Sequence, residues 1–172
     1  DFGLLWISQM MYSDMKYAAE VWNQKSIFPD GWVFGNQLYV VATPVVAALF
    51  YGITHNLCTA MAFASTLMAI IIVLSFNWML KPIFSDITPR LVGIVSFMIL
   101  TLFSGNPVHA LNGWQLLFTM CSYYACYAIT AFLSFGCYLR SNYILKSPSV
   151  IILVLSCLLS FGTGMQSLRQ TA

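Results

Sequence analysis

The hydrophobic positions of this chain fall in long unbroken runs, without the alternation of a half-buried strand. Five runs stand at about 36–54, 57–80, 89–105, 113–139 and 148–165. Runs of this length suit helices that cross a bilayer, whose hydrocarbon core of roughly 30 Å takes about 20 residues. Each run follows a helix-start signal: Asn36, Asn56, Thr88 before Pro89, Asn112, and Ser147 before Pro148. Asn, Ser and Thr accept hydrogen bonds from the N–H groups of a first turn. Pro fits there because it has no N–H to leave unsatisfied. Trp32, Tyr39, Tyr51, Trp78, Trp114, Tyr138 and Tyr143 sit at run ends, as an aromatic belt at headgroup level would. The pattern predicts an all-α, polytopic helical membrane protein with about five transmembrane or re-entrant helices.

Residues 1–35 read differently. Six charged side chains crowd there, namely Asp1, Asp14, Lys16, Glu20, Lys25 and Asp30. Ser13 is placed to cap a short helix running to about Gln24, with Asp14 in a first turn whose dipole favours an anion. Tyr17, Val21 and Trp22 then form an apolar side, opposite Lys16, Glu20 and Asn23, the pattern of a helix lying in the membrane interface. Leu4–Tyr12 reads either as the end of an earlier span or as part of the same surface structure. Phe28-Pro29-Asp30-Gly31-Trp32 is turn chemistry that ends the segment. Two regions result: an interfacial, external-loop-like segment at 1–35 and a transmembrane bundle at 36–172. The chain opens on Asp1 with no basic leader or cleavage pattern and stops just after a helix-like stretch. That suggests part of a longer protein.

Composition sharpens this. Of 172 residues, 60% are hydrophobic and only 7% are charged, against roughly a quarter charged in soluble domains. An ordinary water-soluble enzyme is excluded. Seven basic against five acidic residues build no basic patch for nucleic acid. The five cysteines, at 58, 121, 126, 137 and 157, lie in or beside apolar runs without metal-ligand spacing and read as small buried hydrophobes. If all five runs cross, residues 1–35 share a side with Lys81, Arg90, Arg140 and Lys146, and the positive-inside rule makes that side cytoplasmic. If the first run dips in and returns, which Pro44 permits where its backbone is buried in protein, residues 1–35 join His109 and Arg169 outside.

Four places could carry chemistry. Asp14, with Tyr17 one turn on, offers a carboxylate that could act as general base toward a hydroxyl, or a charge that merely suits the helix dipole. Asn36 and Gln37, before Thr43-Pro44, offer amides for sugar hydroxyls, or helix caps. His109, between two runs, could donate to a phosphate or simply be solvated. Arg169 follows Gly162-Thr163-Gly164, and its guanidinium suits bidentate phosphate contact or snorkelling at a helix end.

The order of these features resembles the amino-terminal part of a GT-C-type integral-membrane glycosyltransferase, in the branch of the dolichyl-phosphate-mannose and aminoarabinose transferases. Asp14 and Tyr17 match an Asp, often followed three residues on by Tyr, in an interfacial helix of the first external loop. Pro29-Asp30-Gly31-Trp32, Thr43-Pro44, Phe50-Tyr51-Gly52 and His55-Asn56 follow in the family's order, and Thr59–Ser65 matches an Ala-rich helix start. Met61 or a neighbour stands where many relatives carry Arg. Asp86 is the only carboxylate downstream, where many have a second acid in an external loop. The resemblance implies sugar transfer from a polyprenyl-phosphate-sugar donor to an acceptor hydroxyl at the outer face, with the donor's lipid tail among the spans. It makes Asp14 the base, and Arg169 or His109 the stabiliser of the leaving phosphate. A divalent metal serves some relatives; no residue here supports one, and no other cofactor is implied. Membrane lipids and the remainder of the chain are the expected partners, and a bacterial inner membrane the expected location. The competing classes are a lipid or small-solute transporter or flippase, and a non-catalytic membrane subunit.

Overall fold

The computed structural model describes residues 2–34, 42–103, 105–106, 111–112, 118, 124–143 and 150–164. Among these, the secondary structure is helical apart from one two-residue antiparallel pairing. The helices are α1 (Phe2–Gln24), α2 (Thr43–Thr54), α3 (Leu57–Leu80), α4 (Ile87–Phe103), α5 (Ala125–Tyr143) and α6 (Val150–Gly164). Between α4 and α5, β1 (Gly105–Asn106) pairs with β2 (Leu111–Asn112), Gly105 opposite Asn112.

The helix α1 is longer than its sequence suggested. It is continuous from Phe2, so Ser13 lies mid-helix and does not cap it. Nothing between Leu4 and Tyr12 breaks a helix, and a Ser without a preceding breaker is tolerated in a helix interior. Lys25 ends α1 in the left-handed region, at φ 54°. The helix α2 is shorter than the run that suggested it. It begins at Thr43, with Pro44 in its first turn and Ala42 before it in extended conformation. Its 12 residues rise about 18 Å, well short of a bilayer core. A two-residue turn joins α2 to α3. His55 takes φ 51° and donates its N–H to Tyr51 O at 2.9 Å, and the Asn56 side chain accepts from Thr59 N at 3.1 Å. These bonds serve an end carbonyl of α2 and a first-turn N–H of α3.

The central element is α3. At 24 residues it is long and apolar enough to cross a membrane. Its buried positions run as one stripe through Met61, Ala64, Met68, Ile72 and Ser75, the spacing of a single helix face. The first half of the stripe closes a core with Tyr17, Ala18 and Val21 of α1 and Ala47 and Ala48 of α2. So many alanines let the three backbones approach closely. The second half, Met68 and Ile72, packs with Ala125 at the start of α5. Phe76, Phe97, Phe118 and Phe132 then tie α3, α4 and α5 together, with Phe76 stacked on Phe97 at 4.6 Å between centroids.

Contacts at the helix ends fix directions. Trp78, near the end of α3, lies against Gly136 of α5, and Arg140 one turn later stacks on Trp78 at 3.9 Å and donates to its carbonyl oxygen at 2.9 Å. That carbonyl is among the last four of α3, which lack helical donors, and a cation suits that end of the dipole. With Ala125 beside Met68 and Ile72, α5 therefore runs the same way as α3. Arg90, in the first turn of α4, donates to Asn77 Oδ1 at 3.4 Å, so α4 runs the opposite way.

Asn112 pairs with Gly105 in place of capping α5, whose described part begins at Ala125. Asn36 and Ser147 lie outside the described residues.

Candidate functional site

Asp14 and Tyr17 stand on one face of α1, one turn apart. Asp14 is only 1% exposed and Tyr17 is fully buried. The Tyr17 phenol donates to Ile27 O at 2.6 Å, a bond that closes the connection after α1 back onto the helix. Two side chains of that connection pack on its ring, Trp32 at 5.3 Å and Phe34 edge-on at 5.8 Å. Burial pushes the phenol up to about 12, because the phenolate would lose its hydration. Gln24 holds the turn that follows, accepting from Asp30 N at 2.7 Å. Pro29, within that turn, is buried.

The helix α2 supplies the opposite wall. Trp22 of α1 packs closely against Gly52 of α2. One turn earlier on each helix, Ala18 and Ala48 share the core. This order is that of two helices running in the same direction. Counting back eight residues, about 12 Å of rise, carries Trp22 to Asp14 and Gly52 to Pro44. The carboxylate thus stands at the level of the first turn of α2, where Thr43 and Pro44 are also buried. Tyr17 and Ala18, further along α1, belong to the apolar core shared with Ala47, Met61 and Ala64.

A carboxylate in such a place is costly. An ionised group moved out of water into an apolar medium loses hydration worth many kcal/mol unless polar groups replace it. Ionisable residues inside membrane bundles are therefore rare, and tend to mark functional sites. What a carboxylate can do chemically is accept a proton or a hydrogen bond from a hydroxyl.

Of the residues singled out in the sequence, the structure brings Asp14 and Tyr17 together. Asn36, Gln37, His109 and Arg169 lie outside the described residues. Among the described residues, no group of three His, Cys, Asp or Glu side chains is arranged to hold a metal ion.

Sequence reasoning missed a second feature. A cleft of about 440 Å³ opens along α3, lined by Thr66, Ala69, Ile70, Val73 and Leu74, with Met98 of α4 and Phe118 opposite. The signal was present as the apolar face of α3 that the buried stripe leaves over, but the cleft is completed only by Met98 of α4 and by Phe118.

Comparison with protein-family models, with curated proteins and with solved structures gives no match in any of the three.

Proposed function

We propose that this chain is part of a polytopic membrane glycosyltransferase of the GT-C type. It moves a sugar from a polyprenyl-phosphate donor to an acceptor hydroxyl, with Asp14 as the general base. One observation carries the reading: a carboxylate on α1 that is 1% exposed, with the buried Tyr17 one turn away. The same two residues carry the family resemblance of the sequence.

The helix ends support a membrane arrangement. In the proposed topology α3 crosses, α4 returns, α5 crosses with α3 and α6 returns, while the 12-residue α2 does not cross. Arg90 and Arg140, which meet Asn77 and Trp78 at one end of α3, then lie with Lys81 on the positive, cytoplasmic side. Trp22 and the α2–α3 turn belong to the other side, where a polyprenyl-phosphate sugar is used, and Asp14 lies about 12 Å of helix rise inward from Trp22. The large apolar side chains on the surface of α3 and α4, among them Phe63, Leu74, Val92 and Leu100, would face lipid. A water-exposed surface of that kind is an aggregation liability. A bacterial inner membrane is the proposed location.

In the proposed reaction Asp14 takes the proton of the acceptor hydroxyl as that oxygen forms its bond to the sugar's anomeric carbon. The bond from that carbon to the phosphate oxygen breaks, and the electron pair leaves with the phosphate. Tyr17 holds the 26–34 connection in place and keeps the acceptor end of the site closed to bulk water. Arg169 and His109 are the residues proposed to face the leaving phosphate.

Asp14→Asn in the full-length protein tests this directly. Loss of a general base costs about a hundredfold or more, so transfer of labelled sugar from a lipid-phosphate donor should fall by at least that factor while membrane insertion persists. Retained transfer would overturn the assignment. No donor-dependent transfer by the unaltered protein, with lipid movement between leaflets instead, would favour the flippase class.

A further inference from the structure

The cleft along α3 does not end in an apolar wall. Thr66, Ile70, Val73 and Leu74 face Met98 and Phe118 across it, and the same stripe of α3 continues at helical spacing to Asn77 and Lys81. Asn77 accepts from Arg90 Nη1 at 3.4 Å, while Arg90 Nε donates to Asp86 O at 3.2 Å. Lys81 is exposed and Arg90 half-buried. From Leu74 to Lys81 the helix rises about 10 Å. An apolar slot thus opens, within one or two turns, onto two cations whose only nearby acidic neighbour among the described residues of that loop is Asp86. Arg140 adds a third positive charge at the same end, although its guanidinium is engaged with Trp78. Exposed Ile83 and Phe84 sit in the loop between the cations.

We propose that this groove holds one anionic phospholipid of the surrounding bilayer. Its hydrocarbon chain lies in the cleft and its phosphate lies between Lys81 and Arg90. The volume falls within the roughly 300–1,000 Å³ of ligand clefts, and the cations at its mouth suit a phosphodiester, most of all one whose charge no choline cation offsets. Ile83 and Phe84 anchor the loop at the headgroup–chain boundary, so the cations are presented at phosphate level. The proposal rests on the membrane reading of the chain and is independent of sugar transfer, since neither Asp14 nor Tyr17 is among the residues of the cleft or its mouth.

The test uses the protein reconstituted in phosphatidylcholine discs that contain a minor share of phosphatidylglycerol, with retained lipids identified by mass spectrometry after release. The unaltered protein should retain phosphatidylglycerol in preference to phosphatidylcholine. Lys81→Gln with Arg90→Gln should lower that preference by about fivefold for each cation removed, while leaving chain retention in place. Ala69→Trp, which fills the cleft from a position on its wall, should reduce retention of both lipids. Three outcomes would overturn the proposal: undiminished preference in the double variant, full retention in Ala69→Trp, or displacement by glycerol phosphate as potent as by the intact lipid. Failure of the unaltered protein to enter the discs would overturn the membrane reading together with this one. Insertion without lipid preference would overturn this one alone.

Discussion

Tyr17 does at the scale of one residue what no helix in the molecule does alone, tying the connection after α1 to the face that carries Asp14. Its phenol keeps its proton in the folded protein up to about 12, well above the ordinary 10.0 of a solvated tyrosine. The neutral form is the one that burial and the bond to Ile27 O favour, so the stabilisation is complete below pH 10. It drains away as pH rises from 10 towards 12, because the unfolded chain releases a proton that the folded chain retains. Thermal unfolding followed across that window should show a fall in stability that Tyr17→Phe lacks. The substitution itself should cost about 1 kcal/mol at neutral pH, the net worth of one hydrogen bond. Equal alkaline slopes for the two proteins would show that Tyr17 is not what holds the connection. The pairing of Asp14 with Tyr17 was legible in the sequence as a three-residue spacing on one helix. The burial of Tyr17 was not, because it comes from Ala47, Met61 and Ala64 on two other helices and from Trp32 and Phe34.

At the scale of elements the same device appears twice, an indole packed closely against a glycine of the neighbouring helix. Trp22 covers Gly52 and Trp78 covers Gly136, and a Cβ at either glycine would collide with the ring. Gly52→Ala would gain helix propensity in isolation, by about 1 kcal/mol. Here it should destabilise the protein by about 1–3 kcal/mol, the cost of overpacking a rigid neighbour. Trp22→Leu should relieve that penalty, so the two substitutions together cost less than the sum of each alone. Denaturation in mixed micelles measures all four proteins, and additive costs would mean the α1–α2 contact is looser than the structure has it. Element bounds were readable where a local signal agreed with the apolar run. The span at 57–80 is α3 to the residue, because Asn56 caps it and nothing interrupts it. The run at 36–54 misled because its first half is apolar without being part of α2. Pro44, which starts the helix, was visible as a breaker, but which side of it was helical was not. Ser13 misled in the opposite sense, since a cap residue is only a cap where the chain before it leaves the helix.

At the scale of the whole molecule, α3 is the element to which α1, α2, α4 and α5 all attach, so its path decides which side Asp14 faces. The α1–α2 layer packs on its first half through Met61 and Ala64, and the cations gather at its other end. If α3 crosses the bilayer, Cys58 in its first turn and Ser85 beyond its last must lie on opposite sides. Cys58 is exposed, and so is Ser85. A chain with its other cysteines replaced by serine or alanine should therefore react at Cys58 with a membrane-impermeant maleimide applied to intact cells. The reciprocal chain, with Ser85→Cys as its single thiol, should react only after the membrane is opened. That result sets Trp22 and the α2–α3 turn on the outer side and the pair Lys81 and Arg90 on the inner, as the proposed topology for sugar transfer requires. Labelling of both thiols from outside would leave α3 uncrossed, and the opposite order would place Trp22 and the α2–α3 turn in the cytoplasm, where an outer-face transferase has no use for them. The short α2 makes the outcome sharp. Because its 12 residues are too few to cross, the turn at His55 and Asn56 cannot be carried to the far side by α2 itself. The sidedness of Cys58 therefore reports on α1, α2 and Asp14 together.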